Sequence, residues 1–286
     1  DLHRRRHSFP TRRSSDLIWL STISGAMKLT GNSVQYYSKR NGLSDNHIYS
    51  MFTDAEGNVW LASDGQGIFR YSGTQFTGLD ETMGLPSAQV MAIATNKRDS
   101  LFLGTYDAGL YIFKDGKVST LSFPSNPVPG IASLCYTHNS KLWIGTRGRG
   151  LWSYANEKFR QYEAPMRNFP SNVISSLYED PERRLWIGFT NGAMVLENDT
   201  FKTILSKNIP VVSFLSIGRD SILIATDNGL MLYNAHNVTE FITNAAVDSY
   251  SVQCFTLKGR DIWMGSSDNG VIRYNMDTRK STIINK

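Results

Sequence analysis

Leu142-Trp143-Ile144-Gly145, Leu185-Trp186-Ile187-Gly188 and Ile262-Trp263-Met264-Gly265 are three copies of a phrase that the chain writes seven times. The others are Ile18-Trp19-Leu20-Ser21, Val59-Trp60-Leu61-Ala62, Leu101-Phe102-Leu103-Gly104 and Ile222-Leu223-Ile224-Ala225. Counted at the tryptophan position, successive copies stand 41, 42, 41, 43, 37 and 40 residues apart. A period of roughly 40–45 residues in an all-strand pattern predicts a β-propeller with about four strands per blade. Seven such blades fill the 286 residues and leave no room for a second domain. The expected fold is all-β: a seven-bladed ring of four-stranded antiparallel blades.

One copy shows how a blade is written. Residues 172–180 alternate as an inner strand, A, and Pro181-Glu182-Arg183-Arg184 turn the chain. Strand B runs over residues 185–189, an Asn191-Gly192 hairpin turn follows, and strand C covers residues 193–196. After a turn at residues 197–200, strand D occupies residues 201–205. Both faces of such a blade pack on neighbours, so its strands read as near-continuous apolar runs. Trp60, Trp143, Trp186 and Trp263 are expected to fill the space between blades. The small residue two positions later shares their sheet face and leaves room for a neighbouring side chain. Gly67, Gly109, Gly150, Gly192, Gly229 and Gly270 close the B–C turn, where a positive φ is expected. These recurrent residues are read as structural.

The phase of the repeat leaves the first blade incomplete. Its strand A would fall within residues 1–17, which do not join the pattern. Within them HSFPTRRSSDL (residues 7–17) resembles translated sequencing-adapter read-through, and the segment is read as a non-native tail. The propeller domain is then residues 18–286. The missing strand is expected either upstream of this sequence or in further repeats beyond Lys286. The tail carries five Arg against Asp1 and Asp16; the remainder holds 25 basic and 23 acidic residues. The net charge of +5 therefore rests mainly on the tail, and no basic patch of nucleic-acid size is expected. No apolar run approaches the roughly 18 residues of a membrane span. Cys135 and Cys254 fall in inner strands of blades that are not neighbours, so two free thiols are expected.

Catalytic and cofactor chemistry finds little support. Outside the tail the histidines are His47, His138 and His236, placed by the strand order in D–A, A–B and C–D connections. They do not converge on one metal or one triad. HExxH, CxxC and GK[ST] motifs are absent, and the Gly-rich run Gly145-Thr146-Arg147-Gly148-Arg149-Gly150 lies in a hairpin with no helix behind it. Glu179-Asp180, like Asp54, ends an A strand and reads as turn chemistry. No catalytic residue, metal site or cofactor is expected.

A binding face remains. The D–A and B–C loops share one end of a propeller, and here they differ most between copies. The B–C tips offer Asp64 and Gln66, Tyr106 and Asp107, Arg147 and Arg149, Asn191, and Asp268 and Asn269. Polar and aromatic groups on a rigid rim suit carbohydrate, whose hydroxyls take Asp, Asn and Arg and whose ring stacks on Tyr. Arg147, Arg149, Tyr106 and Asp107 are expected on one arc fitted to an acidic sugar.

GLSDNHIYSMFTDAEGNVWLASDGQGIFRY (residues 42–71), echoed by SNVISSLYEDPERRLWIGFTNG (residues 171–192), resembles the two-component regulator propeller repeat. The resemblance spans residues 18–286, with Phe102 and Leu223 standing where the family pattern has Trp. It implies the periplasmic sensor region of a Bacteroidetes-type hybrid histidine kinase, responsive to glycans and followed by further domains of the parent protein. The expected partners are an oligosaccharide, those downstream domains and a second copy in a homodimer; nucleic acid is not among them. The competing readings are a propeller-fold polysaccharide lyase or glycosidase, and a protein-interaction scaffold.

Overall fold

A computed structural model describes residues 17–22, 25–30, 33–43, 45–54, 56–79, 84–85, 89–96, 100–164, 168–206, 208–235, 237–241, 252–266 and 270–284. Asp268, Asn269, His236 and most of the N-terminal tail lie outside them. The described strands form seven antiparallel sheets, and the chain is a seven-bladed β-propeller. Blade 1 comprises β1 (Leu17–Thr22), β2 (Gly25–Thr30) and β3 (Ser33–Tyr37). Blade 2 is β4 (Ile48–Thr53), β5 (Val59–Ser63), β6 (Ile68–Tyr71) and β7 (Phe76–Leu79); blade 3 is β8 (Val90–Thr95), β9 (Ser100–Thr105), β10 (Leu110–Lys114) and β11 (Lys117–Leu121). Blade 4 is β12 (Ile131–Tyr136), β13 (Leu142–Thr146), β14 (Leu151–Ala155) and β15 (Lys158–Tyr162). Blade 5 is β16 (Ile174–Glu179), β17 (Leu185–Phe189), β18 (Gly192–Glu197) and β19 (Thr200–Leu205). Blade 6 is β20 (Val211–Gly218), β21 (Ser221–Thr226), β22 (Gly229–Asn234) and β23 (Asn237–Glu240); blade 7 is β24 (Val252–Lys258), β25 (Asp261–Ser266), β26 (Val271–Asn275) and β27 (Lys280–Ile284).

Each blade is a meander in which sequence neighbours pair, as the repeat predicts. In blade 1 the described residues supply strands B, C and D, and the ladder begins with Leu17 opposite Thr30. One detail of the template is corrected. Phe189 pairs with Gly192, so the two-residue hairpin turn is Thr190-Asn191 and Gly192 opens strand C.

Burial peaks at strand B, for inner strands such as β4, β12 and β16 are only half buried. Every residue of β5, β9, β13 and β17 is buried, whereas outer strands such as β15 are mostly exposed. Strand B is flanked by strands on both edges and by blades on both faces, which is why its sequence is the most apolar. Each junction between blades holds its own apolar cluster. Trp186 sits with Phe214, Ile222 and Ile224 between blades 5 and 6. Ile18, Leu20 and Met27 meet Cys254, Trp263 and Val271 between blades 1 and 7, and this contact closes the ring. The two cysteines are free thiols.

The inner strands share a β-bulge. In β4, β8, β12, β16, β20 and β24 the register slips at Tyr49, Met91, Ala132, Ser175, Val212 and Gln253 respectively. The extra residue bends and twists the strand where it approaches the hub. Ser175 uses that position to donate its hydroxyl to the Val211 carbonyl of the next inner strand at 2.6 Å.

The small residue of strand B proves to be a close-packing device. A Cβ on Gly145 would lie 2.2 Å from Ser133 Oγ across the sheet and 2.7 Å from Ile174 Cγ2 of blade 5. Gly145→Ala is therefore expected to destabilise by about 1–3 kcal/mol, the usual range for overpacking. Urea denaturation checks this, and an unchanged midpoint would show that Ile174 retreats freely.

The A–B turns explain the recurrent acid. Asp54 Oδ1 accepts the Asn58 amide and its Oδ2 accepts the Trp60 indole N–H at 2.8 Å. Asp180 repeats this with the Arg184 amide and the Trp186 indole at 2.7 Å. Asp180 also binds Arg184 Nε at 2.7 Å, and Arg184 Nη1 reaches Asp220 of blade 6 at 2.9 Å. Burial pulls the Arg184 guanidinium down, but the hydrogen bonds and charges of Asp180 and Asp220 outweigh it and hold its pKa above the ordinary value. These acids are fastened into the fold, as the turn reading expects.

Candidate ligand-recognition face

The B–C tips share one mounting. The residue ending strand B is Ser or Thr in every blade except blade 5, and five of them make a common bond: Ser63, Thr105, Thr146, Thr226 and Ser266. Each donates its hydroxyl to the carbonyl of the turn-closing glycine, at 2.9 Å for Gly67, 2.9 Å for Gly109, 2.7 Å for Gly150, 2.8 Å for Gly229 and 3.2 Å for Gly270. Four of these hydroxyls also accept a tip amide, from Gln66, Ala108, Arg149 and Asn228. Gly150 has φ +70°, and a Cβ there would lie 2.4 Å from the Tyr162 carbonyl oxygen. Only glycine meets both demands. Blade 5 has Phe189 in place of the hydroxyl and turns through Thr190-Asn191, the two-residue length that blade 6 also uses at Asp227-Asn228. The hydroxyls escape a search for turn glycines, although a Ser or Thr recurs at each of those strand ends.

Inner ends of the tips are tied to the D–A loops. The amides of Asp64, Tyr106, Arg147 and Asp227 donate to the carbonyls of His47, Gln89, Gly130 and Pro210. These bonds confirm that B–C tips and D–A loops occupy the same end of the ring. Blade 4 is clamped from its neighbour as well, since the Asn172 carbonyl accepts Gly148 and Gly150 at 3.1 and 2.9 Å. Asn191 donates its side-chain amide to the Pro170 carbonyl at 2.7 Å, which fixes the blade 5 tip.

The rim residues do not all converge. Arg147 crosses from blade 4 to blade 3 and lays its guanidinium over the Tyr106 ring, 4.8 Å from the centroid. Gly130 makes this crossing possible, for a Cβ there would lie 3.1 Å from Arg147 Cδ and 2.3 Å from the Tyr106 carbonyl oxygen. Arg149 is exposed at the outer side of its turn, where its carbonyl accepts Trp152 Nε1 and Gln161 Nε2. Asp107 is exposed on the adjacent tip. One blade further round, Asp64 accepts Gln89 Nε2 at 3.0 Å and lies 3.6 Å from His47 Nδ1, while Gln66 is exposed. The predicted arc thus reduces to a cation stacked on an aromatic ring, with an acid–amide–imidazole group beside it. Gly130 carries no repeat signal, and sequence reasoning did not single it out.

The remaining described histidine works elsewhere. His138 lies in an A–B turn at the opposite end, where its amide and Nδ1 meet the Glu179 carboxylate of blade 5. His47 and His138 are therefore on opposite ends of the ring. Among the described residues no group of His, Cys, Asp and Glu is arranged to hold a metal ion.

The family described as Two component regulator propeller matches residues 42–65 and 168–191, the A–B–tip stretches of blades 2 and 5. Those two stretches are two-component regulator propeller repeats. The chain is 24% identical over 284 residues to "Histidine kinase P4" of Formosa agariphila, an alignment that covers 86% of the chain and 20% of the kinase. It superposes with a TM-score of 0.79 and 19% identity on an extracellular domain from B. thetaiotaomicron assigned to a hybrid two component system, covering 93% of the chain and 39% of that domain. A catalytically inactive virginiamycin B lyase from Staphylococcus aureus shares the fold, with a TM-score of 0.78 and 11% identity over 96% of the chain and 94% of the lyase. The chain spans one fifth of the kinase and about two fifths of the ectodomain.

Proposed function

We propose that the propeller is a non-catalytic, extracytoplasmic sensor unit of a hybrid two-component histidine kinase, and that it recognises a glycan at its B–C rim. The observation that carries the reading is the contrast between mounting and tip. Hydroxyl staples recur from blade to blade while the tips they hold differ, as expected where a rigid scaffold displays recognition groups. The similarity to an ectodomain of a two-component system supports the extracytoplasmic placement. Arg147, held over Tyr106, is oriented before a ligand arrives, and a guanidinium binds carboxylates through paired hydrogen bonds. An acidic sugar is therefore the favoured ligand class. The lyase shares the fold at 11% identity, which carries no activity across.

Calorimetric titration of neutral and uronic oligosaccharides tests the reading. The Arg147→Ala/Arg149→Ala double variant is expected to lose about tenfold or more in affinity for the uronic series, the scale of a charged hydrogen bond. Arg147→Ala alone should account for most of that loss, since Arg149 stands on the outer side of the turn. Equal binding by wild type and double variant would remove this arc from the site.

A further inference from the structure

Strand B of every other blade is covered on its inner edge by strand A. In blade 1 that strand is β1, and among the described residues it pairs with β2 only. The surroundings of β1 are nonetheless built. Ile18, Trp19 and Leu20 are 5%, 1% and 0% exposed, packed between blades 7 and 2.

We infer that the inner edge of β1 is a docking slot for an extended peptide segment with the chemistry of the chain's own inner strands, supplied by polypeptide other than residues 1–16. Counting back from the Trp position of blades 2 to 5 defines that chemistry. Twelve residues back stand Ile48, Val90, Ile131 and Ile174; ten back, Ser50, Ala92, Ser133 and Ser176. Nine back stand Met51, Ile93, Leu134 and Leu177, all buried, and six back stand Asp54, Asn96, Thr137 and Asp180, each with a side-chain oxygen.

The same count from Trp19 gives His7, Phe9, Pro10 and Arg13. Phe9 would face Ser21, where the other blades pair two small residues such as Ser50 with Ala62. Pro10 removes a backbone donor from the middle of the strand. Arg13 offers only donors where Trp19 needs an acceptor.

That acceptor is the second observation. Trp19 Nε1 is buried with no hydrogen-bond partner, whereas the indoles of Trp60 and Trp186 are met by Asp54 and Asp180. Trp263 Nε1 is also unmet, for a different reason. Its A–B hairpin is a two-residue turn, Lys258 pairing with Asp261, and Leu257 stands six residues back. The occupant of the β1 edge is thus an apolar–x–small–apolar–x–x–Asp strand that adds to the sheet by backbone pairing and ends with a carboxylate on Trp19.

A synthetic peptide copying residues 172–180, titrated by calorimetry into the full chain and into a variant lacking residues 1–16, tests this. One-to-one saturable binding to both chains and a raised melting temperature are expected. The same peptide with Asp180→Ala should bind about tenfold more weakly, having lost a charged hydrogen bond. A Trp19→Phe chain should bind the two peptides equally. Binding by neither chain, binding by the shortened chain alone, or a marked loss of stability on deleting residues 1–16 would each overturn the proposal. Equal affinity of the two peptides for the Trp19 chain would overturn the assigned register.

Discussion

Trp186→Ala is expected to lower the unfolding free energy by about 3–5 kcal/mol, the range for truncating a fully buried aromatic. Trp186 is fully buried in the junction of blades 5 and 6, edge-on to Tyr233 at 5.0 Å and tilted against Phe214 at 5.9 Å. Truncation opens a cavity walled by two separate sheets, and neither can close it without shifting its own inner strand. The Asp180 carboxylate also loses its indole donor. Guanidinium denaturation of the purified propeller measures the loss. A cost below about 1 kcal/mol would mean that the junction recloses, contrary to the behaviour of large-to-small core changes.

The next largest effect is expected at Asp180→Ala, about 3 kcal/mol, the lower end of the range for breaking a buried ion pair. The variant strands Arg184, only 8% of whose side chain is exposed, with Asp220 at 2.9 Å and Glu182 at 3.9 Å as its remaining carboxylates. It also leaves the Trp186 indole and the Arg184 amide without their acceptor. Asp54→Ala is the control. That acid holds the same indole and amide, but the residue four positions on is Asn58, which carries no charge to strand. Its cost is expected to be about 1–2 kcal/mol, the scale of an unsatisfied buried polar group. Equal midpoints for the two variants in parallel denaturation would show that the Arg184 charge contributes nothing.

What could be read from the chain alone follows from what a blade needs. A strand buried on both faces must be apolar throughout, so Leu185 to Phe189 announces itself, and the turn residues between strands fix the count. Junction contacts are a different matter, because they join residues about 40 positions apart. Nothing in the local sequence says that Arg147 reaches Tyr106, or that Gly130 leaves it space. The stacking of a sugar on Tyr106, expected from sequence, meets a ring already covered on one face by the guanidinium. The hairpin of blade 5 was displaced by one residue for a smaller reason. Asn-Gly is the common pair at a two-residue turn, but Phe189 pairs directly with Gly192 and leaves Thr190-Asn191 to turn the chain.

The hydroxyl staple at the end of strand B has a bearing on how such a chain can change. Each staple bonds a side chain to the backbone of the glycine that ends the tip, and the amide it accepts belongs to any residue with an N–H. At the three positions between, Asp64-Gly65-Gln66, Tyr106-Asp107-Ala108 and Arg147-Gly148-Arg149, the fastening uses backbone amides and leaves the side chains out of the staple. Outside Gly65 and Gly148, whose positive φ favours glycine, inheritance can therefore rewrite one tip by single substitutions without a compensating change in the blades beneath. A lineage of such chains can move to new ligands by small steps while every intermediate still folds.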